Sequence, residues 1–146
     1  MRIWIDADAC PKIIKELLFR AAARTKTPLV LVSNHALSSP PSPYISKMQV
    51  PAGLDAADSR IVQNLQAGEL VVTSDIPLAH LVIEKGGLAL SHRGALFTES
   101  NIKERLAMRN FSTDLRSSGV ITGGPPALSK REIQTFANEL DKILSK

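Results

Sequence analysis

The chain has 146 residues, 44% hydrophobic and 22% charged, which is the balance of one globular domain with a proper core. No apolar run approaches the roughly 20 residues of a membrane span, aspartates interrupt the segment where a signal peptide would be apolar, and a single cysteine excludes an intrachain disulfide. The net charge of +4 favours an anionic partner such as nucleic acid. We therefore expect a cytoplasmic protein without a membrane segment.

The first third of the chain predicts alternating strands and helices. Residues 2–6 form an apolar run typical of a buried strand, and residues 11–24 carry apolar side chains at helical spacing. Residues 29–32 are wholly apolar, as central parallel strands are. After a loop rich in proline and serine (35–44), residues 44–50 alternate loosely and predict a short edge strand.

The same alternation continues in the middle of the chain. A second helix is predicted from Asp55, with Gly68 as a C-cap candidate. A strand over 69–73 leads into a third helix with Pro77 in its first turn, and the strand at 88–90 is expected to be the last. The inward-facing residues of the third helix are expected to be Leu78, Leu81 and Val82.

The remainder of the chain, about 98–146, is predicted to be a helical extension of the domain. Thr98 is expected to cap a helix that ends near residue 110. Ser129 and Glu132 have the spacing of a capping box, which opens a final amphipathic helix.

Strands that alternate with helices predict an α/β fold with a mostly parallel sheet. Ligand sites in such sheets lie beyond the carboxyl ends of the strands, where the strand order reverses. The polar residues predicted at those ends are Asp6, Asp8, Ser33, Asn34, Thr73, Ser74, Asp75, His92 and Arg93. We expect all of them at one edge of one sheet.

Aspartates are the most informative of these residues. Asp6 and Asp8 lie two residues apart, Asp75 follows another strand, and Asp58 opens a helix close to Asp55. Carboxylates packed so near to one another repel, which costs free energy unless a cation lies between them. Their hard oxygens suit Mg²⁺ or Mn²⁺, and such an ion activates water and stabilises charge on a phosphodiester. The predicted metal ligands are Asp6, Asp8, Asp58 and Asp75.

Each acid also has a purely structural interpretation, which stays open. Asp6 or Asp8 would cap the first helix and Asp75 the third. Asp58 would reach back to the backbone N–H of Asp55. Cys10 has no evident base beside it and is predicted to be a small buried packing residue.

Several polar and basic residues are candidate substrate contacts. Asn34 adds a neutral oxygen ligand or merely ends a strand. Thr73 and Ser74 are expected to bind a ligand or orient the neighbouring aspartate. Arg93 is expected to contact phosphate, whereas His92 is better explained by a solvated turn. Arg105, Arg109, Arg116, Lys130 and Arg131 form either a basic flank for nucleic acid or an ordinary solvated face.

Four segments of the chain resemble the YaiI/YqxD family of small bacterial proteins: WIDADACPKIIKELL, VPAGLDAADSRIV, VVTSDIPLA and VITGGPPALSKREIQTFANELD. This family is related in pattern to PIN-like domains, many of which are metal-dependent ribonucleases. The resemblance implies one three-layer α/β/α PIN-like domain over 1–146. It matches Asp6, Asp58 (or Asp55) and Asp75 to the catalytic acids. PIN nucleases usually carry a fourth acid after the next strand, where this chain has LALSHRG; the extra Asp8 is the substitute.

The leading prediction is a Mg²⁺- or Mn²⁺-dependent nuclease or phosphodiesterase that acts on RNA, with Asp6, Asp58 and Asp75 catalytic. One alternative is a nucleic-acid-binding or regulatory module without catalysis, which the missing fourth acid allows. Another is a phosphatase of the haloacid-dehalogenase type, whose first strand also ends in Asp-x-Asp. There Asp6 would be the nucleophile and Asp8 the acid/base.

Overall fold

A computed structural model describes residues 1–34, 42–51, 56–105, 107 and 128–145. The strands are β1 (Ile3–Asp6), β2 (Leu29–Ser33), β3 (Ile45–Gln49), β4 (Leu70–Val72), β5 (Leu88–Leu90) and β6 (Leu96–Phe97). The helices in the described residues are α1 (Lys12–Thr25), α2 (Ala56–Asn64), α3 (Ile76–Glu84), α4 (99–105) and α5 (Lys130–Leu144). The predicted α/β class is confirmed.

The six strands form one sheet in the order β3-β2-β1-β4-β5-β6. All neighbours are parallel except β5 and β6. The chain runs outward from β1 through β2 to β3, then returns across β1 to form β4 on its other side. The strand order therefore reverses between β1 and β4, which is where such a sheet opens a crevice for a ligand.

Helices cover both faces of the sheet and make the three layers. On one face α1 and α5 pack over Ile3 and Ile5 of β1, through buried residues that include Leu18 and Phe136. On the other face α2, α3 and α4 pack over Trp4. Successive residues of a strand point to opposite faces, so burial on both faces explains why the first three residues of β1 are all apolar.

Many of the predicted boundaries are confirmed. The edge strand predicted at 44–50 is β3, at the end of the sheet. Thr98 accepts a hydrogen bond from Asn101 N at 3.1 Å at the start of α4, and Ser129 and Glu132 form both bonds of a capping box. Three predictions fall outside the described residues: most of the loop at 35–44, the start of the second helix at Asp55, and the end of the fourth helix near residue 110.

Three expectations were wrong. The strand at 88–90 is followed by the antiparallel β6, which has two residues and is too short for a periodic pattern. Gly68 does not cap α2, because the helix ends at Asn64; it lies in the next turn with φ +87°. Leu81 is 44% exposed, because the buried side of α3 is centred on Leu78 and Ala79 and leaves Leu81 on its flank.

Candidate functional site

A cleft of about 610 Å³ opens at the carboxyl edge of the sheet, beside the ends of β1 and β4. Its polar lining residues are Asp6, Asp58, Thr73, Ser74, Asp75, His92 and Arg93. Its apolar lining residues are Ala9, Pro11, Ile13, Val72, Leu128 and Ile133. Side chains from the ends of β1, β4 and β5 thus share one cleft at the point where the strand order reverses.

Asp6 is the last residue of β1 and is half-buried. Its Oδ1 accepts a hydrogen bond from Asp8 N at 3.1 Å. Burial raises the pKa of Asp6 above its ordinary value, and the charges of Asp8 and Asp75 raise it further, against backbone hydrogen bonds from Asp8 and Ala9 that lower it. An ionised Asp6 is therefore a destabilised carboxylate that a bound cation would stabilise.

Asp75 is the N-cap of α3 as well as a lining residue of the cleft. Its Oδ1 accepts a hydrogen bond from Leu78 N at 3.1 Å, and its own N–H donates to Thr73 Oγ1 at 3.0 Å. The cap uses one carboxylate oxygen. The structural and functional interpretations of this aspartate are therefore compatible.

Asp8 lies beside the cleft and not in its lining. Its Oδ1 accepts a hydrogen bond from Ser33 Oγ at 2.9 Å, and its Oδ2 accepts one from Asn34 N at 2.9 Å. Asp8 thereby ties the end of β2 to the turn after β1, and its own N–H fixes Asp6. Asn34 is likewise absent from the lining.

Asp58 lies in the first turn of α2 and reaches the cleft from the opposite layer to α1. Together with Asp75 it also lines a second groove of about 460 Å³ between α2 and α3. The two aspartates therefore separate the cleft from this groove. Asp55, the other candidate helix acid, lies outside the described residues.

The acids that the structure describes do not form a closed metal cage. Among the described residues, no three His, Cys, Asp or Glu side chains lie close enough together to hold one ion. Asp6 and Asp75 are nevertheless near enough for their charges to interact. Mg²⁺ is commonly bound by one or two carboxylates together with waters and substrate phosphates, so this pair fits an ion that is partly ligated by water and substrate.

Arg93 and His92 come from the turn between β5 and β6. Arg93 Nη1 lies 2.5 Å from Glu132 Oε2, and the arginine lowers the pKa of Glu132. His92 N donates to Ser74 Oγ at 3.2 Å. Burial, and after it the charge of Arg93, lowers the pKa of His92 to about 4. His92 does lie in a turn, but it is half-buried there and lines the cleft, and its imidazole is neutral at pH 7.

The wall that α5 contributes was not foreseen from the sequence. Leu128, just before α5, and Ile133 in its first turn line the cleft with Pro11, just before α1, and Ile13 in its first turn. Such contacts join distant parts of the chain. The sequence offered only local signals of this wall, namely the amphipathic pattern of α5 and the glycine at position 94.

The remaining candidates have structural surroundings. Cys10 is 7% exposed, and burial raises the pKa of its thiol to about 12, so the prediction of a packing residue is confirmed. Arg105 lies over the ring of Phe97, 5.3 Å from its centroid. Lys130 and Arg131 are exposed on α5. Arg109 and Arg116 lie outside the described residues.

The fold and the cleft define a three-layer α/β protein with an acidic crevice at the reversal of its strand order. Residues 4–146 match the model of a family described as "Uncharacterized BCR, YaiI/YqxD family". The chain belongs to the YaiI/YqxD family, which confirms the resemblance seen in its motifs.

Relatives of similar length are found in several bacteria. The UPF0178 protein of Syntrophotalea carbinolica is 59% identical over 146 residues, and the alignment covers 100% of this chain and 99% of that protein. That of Colwellia psychrerythraea is 58% identical over 145 residues, covering 99% of this chain and 96% of its own. Among solved structures, Rae1 (YacP) from Bacillus subtilis aligns with 99% of this chain and 98% of its own, at 16% identity and a TM-score of 0.42.

A membrane-spanning segment was not expected. None of the helices in the described part of the chain is both long enough and apolar enough to cross a bilayer.

Proposed function

We propose that this protein is a Mg²⁺- or Mn²⁺-dependent phosphodiesterase that cleaves RNA in the cytoplasm. The observation that carries the proposal is the pairing of Asp6 and Asp75. Asp6 ends β1 and Asp75 follows β4, the two strands on either side of the order reversal, and both line one cleft. Their charges interact, and the pKa of Asp6 is raised. A partly desolvated carboxylate beside a second acid is typical of functional sites.

In this proposal Asp6 and Asp75 hold the ion, and Asp58 positions the ion or a water from the opposite layer. When bound, the ion would lower the pKa of a water and stabilise negative charge on the phosphodiester. Asp8 holds Asp6 in place through its backbone N–H, while its own carboxylate is engaged with the end of β2. Arg93 supplies positive charge at the same cleft and binds phosphate.

Thr73 and Ser74 shape the site because their hydroxyl groups accept hydrogen bonds from backbone N–H groups. The Thr73 hydroxyl accepts from Asp75 N, and the Ser74 hydroxyl accepts from His92 N. The first bond orders the connection from β4 to α3, and the second fixes this connection against the turn after β5. The net charge of +4 supports a nucleic acid as the substrate, and the choice of RNA rests on the resemblance to PIN-like domains.

The geometry disfavours a haloacid-dehalogenase-type phosphatase. In that mechanism Asp8 would face the same reacting group as Asp6 and exchange a proton with it. Both oxygens of Asp8 instead accept hydrogen bonds from the end of β2, and its side chain is outside the cleft lining.

One observation favours a second candidate function, nucleic-acid binding without catalysis. The residues that follow β5 and line the cleft are His92 and Arg93. A carboxylate at this edge would help to hold a second ion, whereas an arginine binds phosphate without one.

The deciding experiment measures cleavage of a fluorogenic single-stranded RNA by the full chain, with Mn²⁺, with Mg²⁺ and with EDTA. We expect cleavage that requires the cation and falls at least about 100-fold in Asp6→Asn and Asp75→Asn. Asp141→Asn is the matched control, because that carboxylate pairs with Arg24 in an exposed contact away from the cleft. Cleavage that persists in the Asp6→Asn, Asp75→Asn double variant would contradict the proposal. Salt-sensitive RNA binding without turnover under either cation would support the second candidate.

A further inference from the structure

The cleft has two chemically different parts. One part carries the aspartates and Arg93, and suits an ion and a phosphate. The other part is formed by Pro11 and Ile13, before and within the first turn of α1, and by Leu128 and Ile133, before and within the first turn of α5. These four apolar residues, here called the apolar wall, are all half-buried and border the same space as the acids.

A hydrated ion and a phosphate do not explain the apolar wall. Both prefer water or polar partners, and aliphatic side chains offer them no binding energy. Sites for small organic ligands, by contrast, combine a mostly apolar lining with a few placed polar groups and span roughly 300–1,000 Å³. The cleft, at about 610 Å³, has that size, and most of its accessible surface is apolar although seven of its lining residues are polar.

We propose that the apolar wall is a nucleobase subsite, which takes the base of the nucleotide whose phosphate lies beside Asp6, Asp75 and Arg93. The identity of this ligand rests on the proposed function, because in a nucleic-acid substrate a single ribose joins each base to its phosphate. Burial of the planar base against aliphatic side chains contributes binding energy in proportion to the apolar area removed from water.

His92 is better suited to hydrogen-bond the ribose than to bind the phosphate as a cation. The histidine lines the cleft beside Arg93, and its low pKa of about 4 leaves the ring neutral at pH 7. A neutral imidazole offers one hydrogen-bond donor and one acceptor. A ribose hydroxyl group can use either.

An aliphatic wall also limits what the subsite can distinguish. Sequence is read by hydrogen bonds to base edges, and the four side chains of the apolar wall have no polar atoms. Contact area is then the main difference between bases, and purines bury more than pyrimidines. We expect a preference for purines over pyrimidines at this one position and little discrimination within each class.

The first test uses the unmodified full chain and needs no cleavage. AMP, UMP and the base-free ribose 5-phosphate are titrated separately in the presence of Mg²⁺, and binding is followed by NMR chemical shifts. We expect AMP to bind about tenfold more tightly than ribose 5-phosphate, with UMP between them. Equal affinity of AMP and ribose 5-phosphate would overturn the subsite.

The second test compares pairs of variants within one helix. Ile13→Ala is compared with Leu17→Ala in α1, and Ile133→Ala with Leu144→Ala in α5. The control residues are partly buried against the core but are not in the cleft lining. We expect AMP binding to weaken about fivefold in the two cleft variants only, with ribose 5-phosphate unaffected. Equal losses in cleft and control variants would overturn the proposal.

The two proposals fail in different ways. RNA cleavage together with equal binding of AMP and ribose 5-phosphate would leave the phosphodiesterase standing and remove the base subsite. Base-dependent binding without cleavage under either cation would support the subsite and remove the catalytic function.

Discussion

Gly94 lies directly against the backbone of Phe136. A Cβ at position 94 would be 2.7 Å from Phe136 N and 2.8 Å from the carbonyl carbon of Thr135, closer than real Cβ contacts. The backbone of Gly94 also has φ +88°. This close approach places α5 against the turn that carries His92 and Arg93, and thereby makes α5 part of the cleft.

Gly94→Ala should therefore destabilise the fold more than Gly68→Ala. Gly68 has nearly the same φ, +87°, but a Cβ added there would have no atom within 4 Å. Both variants carry the strain of a left-handed backbone, about 1 kcal/mol, and Gly94→Ala adds overpacking of about 1–3 kcal/mol. Urea unfolding of the two variants measures the difference. Equal losses would show that α5 does not pack tightly on this turn.

Much of the sheet edge was predictable because its signals are local. An apolar run followed at once by polar residues marks the ends of β1, β2 and β4, and parallel strands bring such ends to one edge. The caps at Thr98 and Ser129 are also local patterns of a few residues. Each of these features depends on the chain nearby and on nothing else.

The parts that were missed depend on contacts between distant segments. Nothing near Asp8 indicates that both of its oxygens are bound to the end of β2. The apolar wall requires α1 and α5 to meet, and the pattern of α5 predicts only that one side is buried. The resemblance to PIN-like domains points to acids, and it carries no information about this wall.

Asp6→Asn should raise the free energy of unfolding at pH 7 without divalent cations. The pKa of Asp6 is raised in the folded state above the ordinary value of 3.8, chiefly by burial. Such a carboxyl favours folding when it is protonated, and it disfavours folding once the pH is above its folded-state pKa. Asparagine removes that penalty and keeps an oxygen to accept from Asp8 N.

The sign of this effect can be checked by varying the pH. The gain should be present at pH 7 and disappear well below pH 3.8, where Asp6 is protonated in both states. Asp141→Asn should show no gain at pH 7, because it loses an exposed ion pair with Arg24. A destabilised Asp6→Asn at pH 7 would mean that the carboxylate is well solvated or already paired.

The two roles of Asp75 can be separated by two substitutions. Asparagine is as good an N-cap as aspartate, whereas alanine is poor. Asp75→Ala should therefore be about 1 kcal/mol less stable than Asp75→Asn in thermal or urea unfolding. RNA cleavage should be lost in both variants. Full cleavage by Asp75→Asn would reduce this residue to a helix cap.

Cys10 should be nearly inert in the native protein. Its pKa of about 12 leaves roughly one thiol in ten thousand ionised at pH 8, and the thiolate is the reactive form. Alkylation by iodoacetamide, followed by mass spectrometry, should be far slower in buffer than in 8 M urea. The unfolded chain is its own control. Equal rates in the two conditions would show that the turn after β1 opens readily.

Divalent cations should stabilise the fold through the acidic pair. A ligand that binds only the native state at 100 times its Kd adds about 2.7 kcal/mol, which for a chain of this size raises Tm by about 5 °C or more. We expect such a rise with Mn²⁺ in the unmodified protein, and little or none in the Asp6→Asn, Asp75→Asn double variant. Asp8→Asn should keep most of the rise, because the side chain of Asp8 is engaged with Ser33 and Asn34 N and lies outside the cleft. A full rise in the double variant would place cation binding elsewhere on the protein, and loss of the rise in Asp8→Asn would make Asp8 a direct ligand.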